Sequence, residues 1–212
     1  MTQLRWPTLP PARQGMRIGL LGGSFNPPHD GHRHISLVAL RRLRLDRVWW
    51  LVTPGNPLKS HDDLAPLIDR IEEARTVSDH PQIDVTAVEA DVGLSRTADT
   101  LHYLVSRCPD TRFVWLMGAD NLAGFHRWHR YEEIAATVPF AVIDRPGGDM
   151  AVLNAPAAHR FRQFQITARD ASVLPDLNPP AWVFLHGPLS HLSSTALRSA
   201  RRAAAGAVLK SS

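Results

Sequence analysis

The strongest constraint on the fold is a strand pattern that ends in a glycine pair and continues as a helix, within residues 16–36. Residues 18–21 form a short apolar run that is typical of a strand buried in a parallel sheet. The chain turns at Gly22 and Gly23, and an apolar helical pattern begins near Asp30. The first N–H groups of a helix have no partner within the helix, and the helix dipole favours negative charge there. The sequence therefore predicts an anion-binding turn at the end of the first strand.

The side chains of this turn favour a phosphate as the anion. Gly22 and Gly23 allow the backbone to approach a phosphate, and Ser24 adds a hydroxyl group. His29 and His32 lie on one face of the predicted helix, and each imidazole can donate a hydrogen bond to a phosphate oxygen. The turn does not match the P-loop motif, because no Gly-Lys-Ser/Thr closes it. It does not match the dinucleotide-binding motif either, because its next glycine, Gly31, lies too far along the chain for GxGxxG spacing.

Two other interpretations of the histidine pair are open at this point. The pair could bind a metal together with His34, but zinc requires a third ligand, usually a carboxylate or thiolate, and His34 lies on another face of the helix. The pair could also be solvated and without function, which the neighbouring glycine turn disfavours. We therefore predict no protein-bound metal site here.

Length and composition are those of one domain. The chain has 212 residues, of which 44% are hydrophobic and 21% charged, and its net charge is only +4. We expect a flexible N-terminal extension over residues 1–15, a single domain over residues 16–206 and a C-terminal tail over residues 207–212. The lone cysteine, Cys108, fits a reducing cytoplasm, and the sequence has no apolar run of membrane-spanning length. Residues 1–15 are rich in proline and have no apolar core, so we expect that they are not a secretory signal. Neither nucleic acid nor a membrane is expected as a partner.

The remaining patterns predict an α/β fold. Apolar and β-branched runs predict strands over residues 47–53, 83–88, 112–117, 139–144 and 181–185. Helical periodicity covers residues 64–80 and 97–108, and the second of these helices has Ser95 or Thr97 as its expected N-cap. Residues 149–178 have weak periodicity and are expected to wrap the domain. We predict a Rossmann-like, doubly wound, mostly parallel sheet with helices on both faces.

Polar and aromatic residues follow several predicted strands, where an open α/β sheet binds its ligands. Lys59, after the second strand, is a candidate phosphate partner, with a solvated surface lysine as the alternative. Asp120 follows the strand over residues 112–117 and could accept hydrogen bonds from ribose hydroxyl groups, cap a helix, or do both. Phe125 and Trp128 offer a stacking surface for a flat heterocycle, with core packing as the alternative, especially for Phe125.

A second hydroxyl-rich helix start lies near the C-terminus. Ser193, Ser194 and Thr195 place three hydroxyl groups at the positive end of a helix dipole, and Arg198 follows about one turn later. A helix cap requires only one of these hydroxyl groups, so a second anion-binding position is the favoured interpretation.

The first turn resembles the first signature of the nucleotidyltransferase superfamily, in the segment GGSFNPPHDGH at residues 22–32. In that superfamily the turn and its two histidines hold the triphosphate of ATP or CTP, which implies catalytic roles for His29 and His32. The resemblance also implies that the turn binds ATP through Gly22, Gly23, Ser24 and Phe25.

The segment LSSTALR, at residues 192–198, is similar to the second signature of the same superfamily. This similarity implies that Ser193, Ser194 and Thr195 bind the β- and γ-phosphates of ATP and that Arg198 acts in catalysis beside them. Two signatures in this order, at opposite ends of the chain, cover the domain.

The segments between the two signatures resemble one branch of the superfamily, the bacterial nicotinate-nucleotide adenylyltransferases. The resemblance is carried by the segment GADNL, at residues 118–122, and by the F-x-x-W pattern of Phe125 and Trp128. It implies in-line transfer of the adenylyl group of ATP to nicotinate mononucleotide, with release of pyrophosphate and no covalent intermediate. Asp120 would also contact ATP. Nicotinate mononucleotide would contact Lys59, Thr97, Trp128 and Arg145.

The same resemblance implies Mg²⁺ as the cofactor, bridging phosphate oxygens with few protein ligands. It implies small-molecule partners and leaves a homo-oligomer open. Arg96 stands where that branch has a tyrosine, so this loop lacks the tyrosine ring. The alternatives are adenylyl transfer to nicotinamide mononucleotide or to phosphopantetheine, and a nucleotide-binding module without turnover.

Overall fold

The apolar runs of the sequence form the strands of one parallel sheet. The computed structural model describes residues 9–55, 64–144 and 150–186. The strands in these ranges are β1 (Arg17–Gly23), β2 (Arg47–Val52), β3 (Ile83–Thr86), β4 (Arg112–Gly118), β5 (Phe140–Ile143), β6 (Gln165–Ile166) and β7 (Trp182–Leu185). They lie in the order β3-β2-β1-β4-β5-β7-β6, and every neighbouring pair is parallel. The predicted parallel sheet is confirmed.

The strand order reverses between β1 and β4, which are neighbours in the sheet. From β1 the chain proceeds to β2 and β3 on one side, and it then returns to β4 and β5 on the other side. Leu21 of β1 lies beside Leu116 of β4, so both strands end at the same edge. In open α/β sheets a crevice forms at such a reversal, outside the carboxyl ends of the strands, and ligands bind there.

Helices cover both faces of the sheet, as predicted. The described α-helices are α1 (Asp30–Arg42), α2 (Leu67–Ser78), α3 (Val88–Asp91), α4 (Thr97–Arg107), α5 (Ala119–Gly124), α6 (Tyr131–Thr137) and α7 (Pro156–Arg160). One face of the sheet packs against α1, α2 and the 3-10 segment Ala168–Asp176. The opposite face packs against α4, α5, α6 and α7. None of these helices combines the length and the apolar composition that crossing a membrane requires.

Alternation along the strands builds two hydrophobic layers, which we call the α1-side layer and the α4-side layer. Trp49 and Trp50 of β2 are both fully buried, but Trp49 belongs to the α4-side layer and Trp50 to the α1-side layer. Leu20 and Leu21 of β1 are divided in the same way. Both positions of each pair are apolar because both faces of this parallel sheet are covered.

Two of the predicted element boundaries that differ from the structure have a clear local cause. α2 begins at Leu67 and not at residue 64, because Pro66 occupies its N-cap position and the residue before a proline disfavours helical backbone. β3 ends at Thr86, whose Oγ1 accepts a hydrogen bond from the N–H of Val88 at 3.2 Å. The short helix α3 therefore takes the place of the predicted end of this strand.

The predicted N-cap of α4, at Ser95 or Thr97, is wrong. Arg96 is the N-cap residue, with an extended backbone at φ −120° and ψ 132°. Its carbonyl oxygen accepts the hydrogen bond from the N–H of Thr100 at 3.0 Å, so the helical hydrogen bonds start there and Thr97 is already helical. The Arg96 side chain makes no capping hydrogen bond.

Residues 150–178 contain short helical turns and one short strand. Besides α7, the 3-10 segments are Met150–Asn154, Arg162–Phe164 and Ala168–Asp176. The strand β6 extends the sheet by pairing with β7. Asp176 forms ion pairs with Arg17 and Arg112, which begin β1 and β4, and so attaches this part of the chain to the amino edge of the sheet.

Residues 9–15 contact the rest of the domain. Leu9 and Ala12 pack against the α4-side layer. The N–H of Gly15 donates to the carbonyl oxygen of Asp110 at 2.8 Å. Residues 1–8 and 187–212 lie outside the described ranges, so the boundaries of the predicted extension and tail stay predictions.

Candidate active site

Two polar segments meet at the carboxyl ends of β1 and β4. After β1 the chain turns through residues 24–29 into α1, and after β4 it enters α5 directly. Because β1 and β4 are neighbours, His29, His32 and Asp120 follow strands that end at one edge of the sheet. This edge is also where the strand order reverses, which is the usual ligand position in an open α/β sheet.

His29 and His32 hold the first turn of α1 by reciprocal hydrogen bonds. His29 is the N-cap residue, and its Nδ1 accepts a hydrogen bond from the N–H of Gly31 at 3.0 Å. The Nδ1 of His32 accepts a hydrogen bond from the N–H of His29 at 3.2 Å. The two ring centroids are 3.9 Å apart. This arrangement is a capping box in which two imidazoles replace the usual hydroxyl and carboxylate groups.

The capping hydrogen bonds determine which ring nitrogen carries the proton. A nitrogen that accepts a hydrogen bond is unprotonated, so each neutral imidazole carries its proton on Nε2. His29 is only 3% exposed, whereas His32 is half-buried and therefore more accessible. The pair can offer two Nε2–H donors to an anion at the helix start.

An aromatic stack in the α1-side layer supports His32. The centroid of the Phe25 ring lies 4.6 Å from that of His32 and 5.0 Å from that of Trp50, on which it stacks. The indole N–H of Trp50 donates to Oγ of Ser36 at 2.8 Å, and the Ser36 hydroxyl donates to the carbonyl oxygen of His32 at 2.9 Å. These contacts hold both the ring and the backbone of His32 in place before a ligand arrives.

The two glycines of the turn have different neighbours. A Cβ atom at Gly22 would lie 2.5 Å from Cη2 of Trp115, so the packing of β1 against β4 requires glycine there. A Cβ atom at Gly23 would lie 3.5 Å from the Phe25 ring, which is an ordinary contact. Packing is thus a reason for Gly22 that the sequence analysis did not predict. The contacts of Gly22, Gly23 and Ser24 with ATP stay predictions.

Phe25 combines a buried side chain with a left-handed backbone. Its φ of 45° lies in a region that costs residues with a side chain about 1–2 kcal/mol. Its ring is 1% exposed and belongs to the core, so a contact between Phe25 and ATP has to come from the backbone. Backbone strain of this kind persists where the surroundings impose it, often at functional sites.

Asp120 and Thr97 lie in the first turns of two helices. Asp120 is exposed in α5, whose N-cap is Gly118, so the alternative that Asp120 caps this helix is wrong. A carboxylate in the first turn is still favourable toward the helix dipole. Thr97 is half-buried as the first residue of α4. Their contacts with ATP and nicotinate mononucleotide stay predictions.

Phe125 and Trp128 differ in their exposure. Phe125 is fully buried in the α4-side layer, which confirms core packing for this residue. Trp128 is half-buried, and its ring meets those of Phe125 and Trp115 edge-on, at centroid distances of 5.4 and 6.2 Å. Stacking of a heterocycle on the accessible part of the Trp128 indole stays a prediction.

Six of the predicted site residues lie outside the described ranges. They are Lys59, Arg145, Ser193, Ser194, Thr195 and Arg198. Their contacts with ATP and with nicotinate mononucleotide stay predictions.

Arg70 is a buried cation near this edge that the sequence analysis did not identify. Its side chain is 2% exposed, and burial lowers the pKa of the guanidinium below its usual value. A signal was present in the sequence, because Arg70 lies between the apolar positions Leu67, Ile71 and Ala74 of α2. Among the described residues, its guanidinium donates to backbone carbonyl groups, which belong to Ser24, Thr53, Pro54 and Ala65.

Glu89 is a buried carboxyl group that the sequence analysis also missed. It accepts a hydrogen bond from Oγ1 of Thr100 at 2.8 Å, and Thr53 is a second side-chain partner. Burial raises the pKa of Glu89, and the two hydrogen bonds oppose this shift. Since Thr53 follows β2 and Thr100 belongs to α4, Glu89 connects the strand edge to the helix that begins at Thr97.

The described residues contain no group of three or more histidine, cysteine, aspartate or glutamate side chains that could hold a metal ion. The histidine pair at this edge offers N–H donors, and Asp120 offers a single exposed carboxylate. This donor set fits a magnesium ion held mainly by the phosphate oxygens of a nucleotide.

Comparison with solved structures supports the α/β fold. The structure is similar to that of Plasmodium falciparum nicotinic acid mononucleotide adenylyltransferase complexed with NaAD, with a TM-score of 0.65 and 18% sequence identity. The match covers 87% of this chain and 83% of that chain. The same enzyme complexed with APC matches with a TM-score of 0.63. At this identity the similarity shows the fold alone.

Sequence relatives share far more identity with the chain. A protein of Methylorubrum extorquens, named probable nicotinate-nucleotide adenylyltransferase, is 58% identical over 184 residues, which are 87% of this chain and 100% of the relative. A protein of the same name from Rhizobium meliloti is 54% identical over 88% of this chain and 99% of the relative. The profile of the cytidylyltransferase-like family matches residues 20–200, and the chain belongs to this family. Within it, the chain groups with the nicotinate-nucleotide adenylyltransferases, as its motifs predicted.

Proposed function

We propose that this chain transfers the adenylyl group of ATP to nicotinate mononucleotide, which yields deamido-NAD and pyrophosphate. The observation that carries the reaction class is the capped histidine pair at the point where the strand order reverses. The choice of acceptor is supported by the name of the relative from Methylorubrum extorquens, which is 58% identical to this chain.

The reaction requires positioning and charge stabilisation rather than a protein nucleophile. An oxygen of the mononucleotide phosphate attacks the α-phosphorus of ATP, and the bond from this phosphorus to the leaving pyrophosphate breaks in line. Negative charge shifts onto the pyrophosphate during this step. His29 and His32 donate their Nε2–H groups to non-bridging phosphate oxygens and stabilise that charge. Because the capping hydrogen bonds hold both rings beforehand, little reorganisation is required.

Other residues position the two substrates in this proposal. Asp120 accepts hydrogen bonds from the ribose of ATP, Thr97 contacts the mononucleotide, and Trp128 stacks near its pyridine ring. Mg²⁺ supplies charge neutralisation at the phosphate oxygens when it is bound. A cytoplasmic location and a homo-oligomer stay predictions. Further contacts with phosphate and substrate are assigned to the predicted residues outside the described ranges, which are Lys59, Arg145, Ser193, Ser194, Thr195 and Arg198.

Steady-state release of pyrophosphate tests the proposal. The assay contains ATP and Mg²⁺ and compares nicotinate mononucleotide, nicotinamide mononucleotide and phosphopantetheine at equal concentrations. We expect the highest turnover with nicotinate mononucleotide. Turnover with phosphopantetheine alone would retain the reaction class and refute the acceptor. Binding of ATP without turnover of any acceptor would favour a nucleotide-binding module.

Asparagine variants separate the catalytic donors from the helix cap. In His29→Asn and His32→Asn the amide oxygen can replace Nδ1 as acceptor, but the side chain is too short to replace Nε2–H. We expect kcat to fall about 100-fold or more, because each variant loses a preorganised donor. The free energy of unfolding should change by less than about 1 kcal/mol, since the cap is retained.

The matched control is His34→Asn, which makes the same substitution on another face of α1. Its kcat should equal that of the wild type. A wild-type kcat in His32→Asn would refute the proposed role of this donor.

A further inference from the structure

The guanidinium of Arg70 is surrounded by backbone carbonyl groups. Its Nη1 donates to the carbonyl oxygen of Ser24 at 2.6 Å and to that of Thr53 at 2.8 Å. Its Nε donates to the carbonyl oxygen of Ala65 at 2.9 Å, and its Nη2 to that of Pro54 at 3.2 Å. Among the described carboxylates, none forms an ion pair with it.

Burying a cation is costly, and an apolar residue would avoid this cost. The four carbonyl groups come from three segments, namely the turn after β1, the end of β2 and the residues before α2. A guanidinium carries five N–H donors in one rigid plane, so it can hold several carbonyl groups at fixed relative positions. Holding these segments together is therefore a reason for a cation at this position.

The hydrogen bond to Ser24 determines the orientation of the next peptide group. In a trans peptide the C=O and N–H bonds point in opposite directions, so the N–H of Phe25 points away from Arg70. Phe25 is also the residue with the left-handed φ of 45°, which its surroundings have to impose. The positive charge on the carbonyl side of this peptide polarises it and strengthens the Phe25 N–H as a donor.

We propose that Arg70 is a positioning residue for adenylyl transfer. It holds the peptide between Ser24 and Phe25 so that the N–H of Phe25 donates to a phosphate of the bound nucleotide. At 2% exposure Arg70 acts through the turn rather than on the substrate. This inference rests on the proposed function for the identity of the nucleotide, ATP.

Kinetics of two variants test the proposal. Arg70→Met removes all the donors at similar side-chain length, and Arg70→Lys retains the charge but not the planar fork. At saturating substrates and at a temperature where circular dichroism shows a folded protein, we expect kcat to fall about 10- to 100-fold in Arg70→Met. Arg70→Lys should lose less. Arg75→Met, at an exposed position of the same helix, should retain the wild-type kcat.

An amide resonance provides a measurement that does not require turnover. The chain has seven phenylalanines, so labelling with ¹⁵N-phenylalanine gives a simple spectrum in which Phe25→Leu identifies one signal. Addition of ATP and Mg²⁺ without an acceptor should shift the Phe25 amide resonance in the wild type and in Arg75→Met. The shift should be clearly smaller in Arg70→Met.

The two measurements separate this inference from the proposed function. A wild type that fails to turn over nicotinate mononucleotide refutes the function, and the amide shift then decides the role of Arg70. With an active wild type the proposal requires both effects, so a wild-type kcat or a wild-type Phe25 shift in folded Arg70→Met overturns it. Failure of both Arg70 variants to fold also overturns it, because Arg70 would then serve folding itself.

Discussion

Replacing Gly22 by alanine tests the packing of β1 against β4. The added Cβ atom would lie 2.5 Å from Cη2 and 3.2 Å from Cζ2 of Trp115. Trp115 is 2% exposed, so its ring cannot move into solvent to relieve this overlap. We therefore expect Gly22→Ala to destabilise the fold, whatever its effect on ATP binding.

The size of the effect follows from this geometry. The overlap with Cη2 is close to 1 Å, and overpacking of a dense core costs about 1–3 kcal/mol. For a domain of this size, each kcal/mol lowers Tm by about 2–4 °C, so Tm should fall by about 2–12 °C. Gly23→Ala is the matched control: its Cβ atom would meet the Phe25 ring at 3.5 Å, and stability should change by less than about 0.5 kcal/mol.

Urea unfolding followed by far-ultraviolet circular dichroism measures these free energies, because this signal does not depend on Trp115 itself. A double-mutant cycle with Trp115→Phe isolates the overlap, since a phenyl ring ends short of the Cη2 position. We expect Gly22→Ala to cost about 0.5–3 kcal/mol less in the Trp115→Phe background. Equal costs in both backgrounds would refute the argument that the Trp115 ring is the reason for glycine at residue 22.

Two further predictions concern Glu89 and Trp128. Burial raises the pKa of Glu89 in the folded protein above its ordinary 4.5. The protonated carboxyl group therefore contributes fully to the free energy of unfolding below about pH 4.5, and this contribution is lost as the pH rises through the folded-state pKa. Glu89→Gln should therefore gain stability relative to the wild type between pH 4 and pH 7 in urea unfolding, and a pH-independent difference would contradict the shift. Trp128→Ala should raise the KM for nicotinate mononucleotide about 5- to 150-fold and leave the KM for ATP unchanged, because a stacked base contributes about 1–3 kcal/mol. Trp128→Phe should restore most of this loss in the same pyrophosphate assay, and an unchanged KM in Trp128→Ala would assign the indole to core packing.

Much of the sheet could be predicted because its strands are continuous apolar runs. β4 and β7 differ from the predicted ranges by one residue at one end. The short helix α3 was missed, because the alternation of residues 83–88 resembles a strand until Thr86 turns the chain. The 3-10 segments of residues 150–178 have no clear period, so their packing against the sheet had no sequence signal.

The sequence predicted the histidine pair of the site but only some of the contacts that hold the pair and its turn in place. The spacing of His29 and His32 placed both rings on one helical turn, which the structure confirms. The sequence did not lead us to predict that the Nδ1 atoms of both rings accept the capping hydrogen bonds of the helix. A polar residue at the N-cap and another three positions later is nevertheless a capping-box pattern. Arg70 was not predicted as a buried residue because arginine is usually exposed, even beside the apolar positions of a helix.

By itself, the sequence determined the family, the six longer described strands, the helices α1, α2 and α4, and the histidine turn, because each of these depends on residues close together in the chain. The tertiary structure alone decided which glycine the core requires and what orients the turn. Gly22 and Trp115 belong to strands that become neighbours only in the sheet, and Arg70 reaches Ser24 across 46 residues of sequence. Contacts of this kind follow from how α2 and β4 pack against β1 and its turn, and no local pattern of residues encodes them.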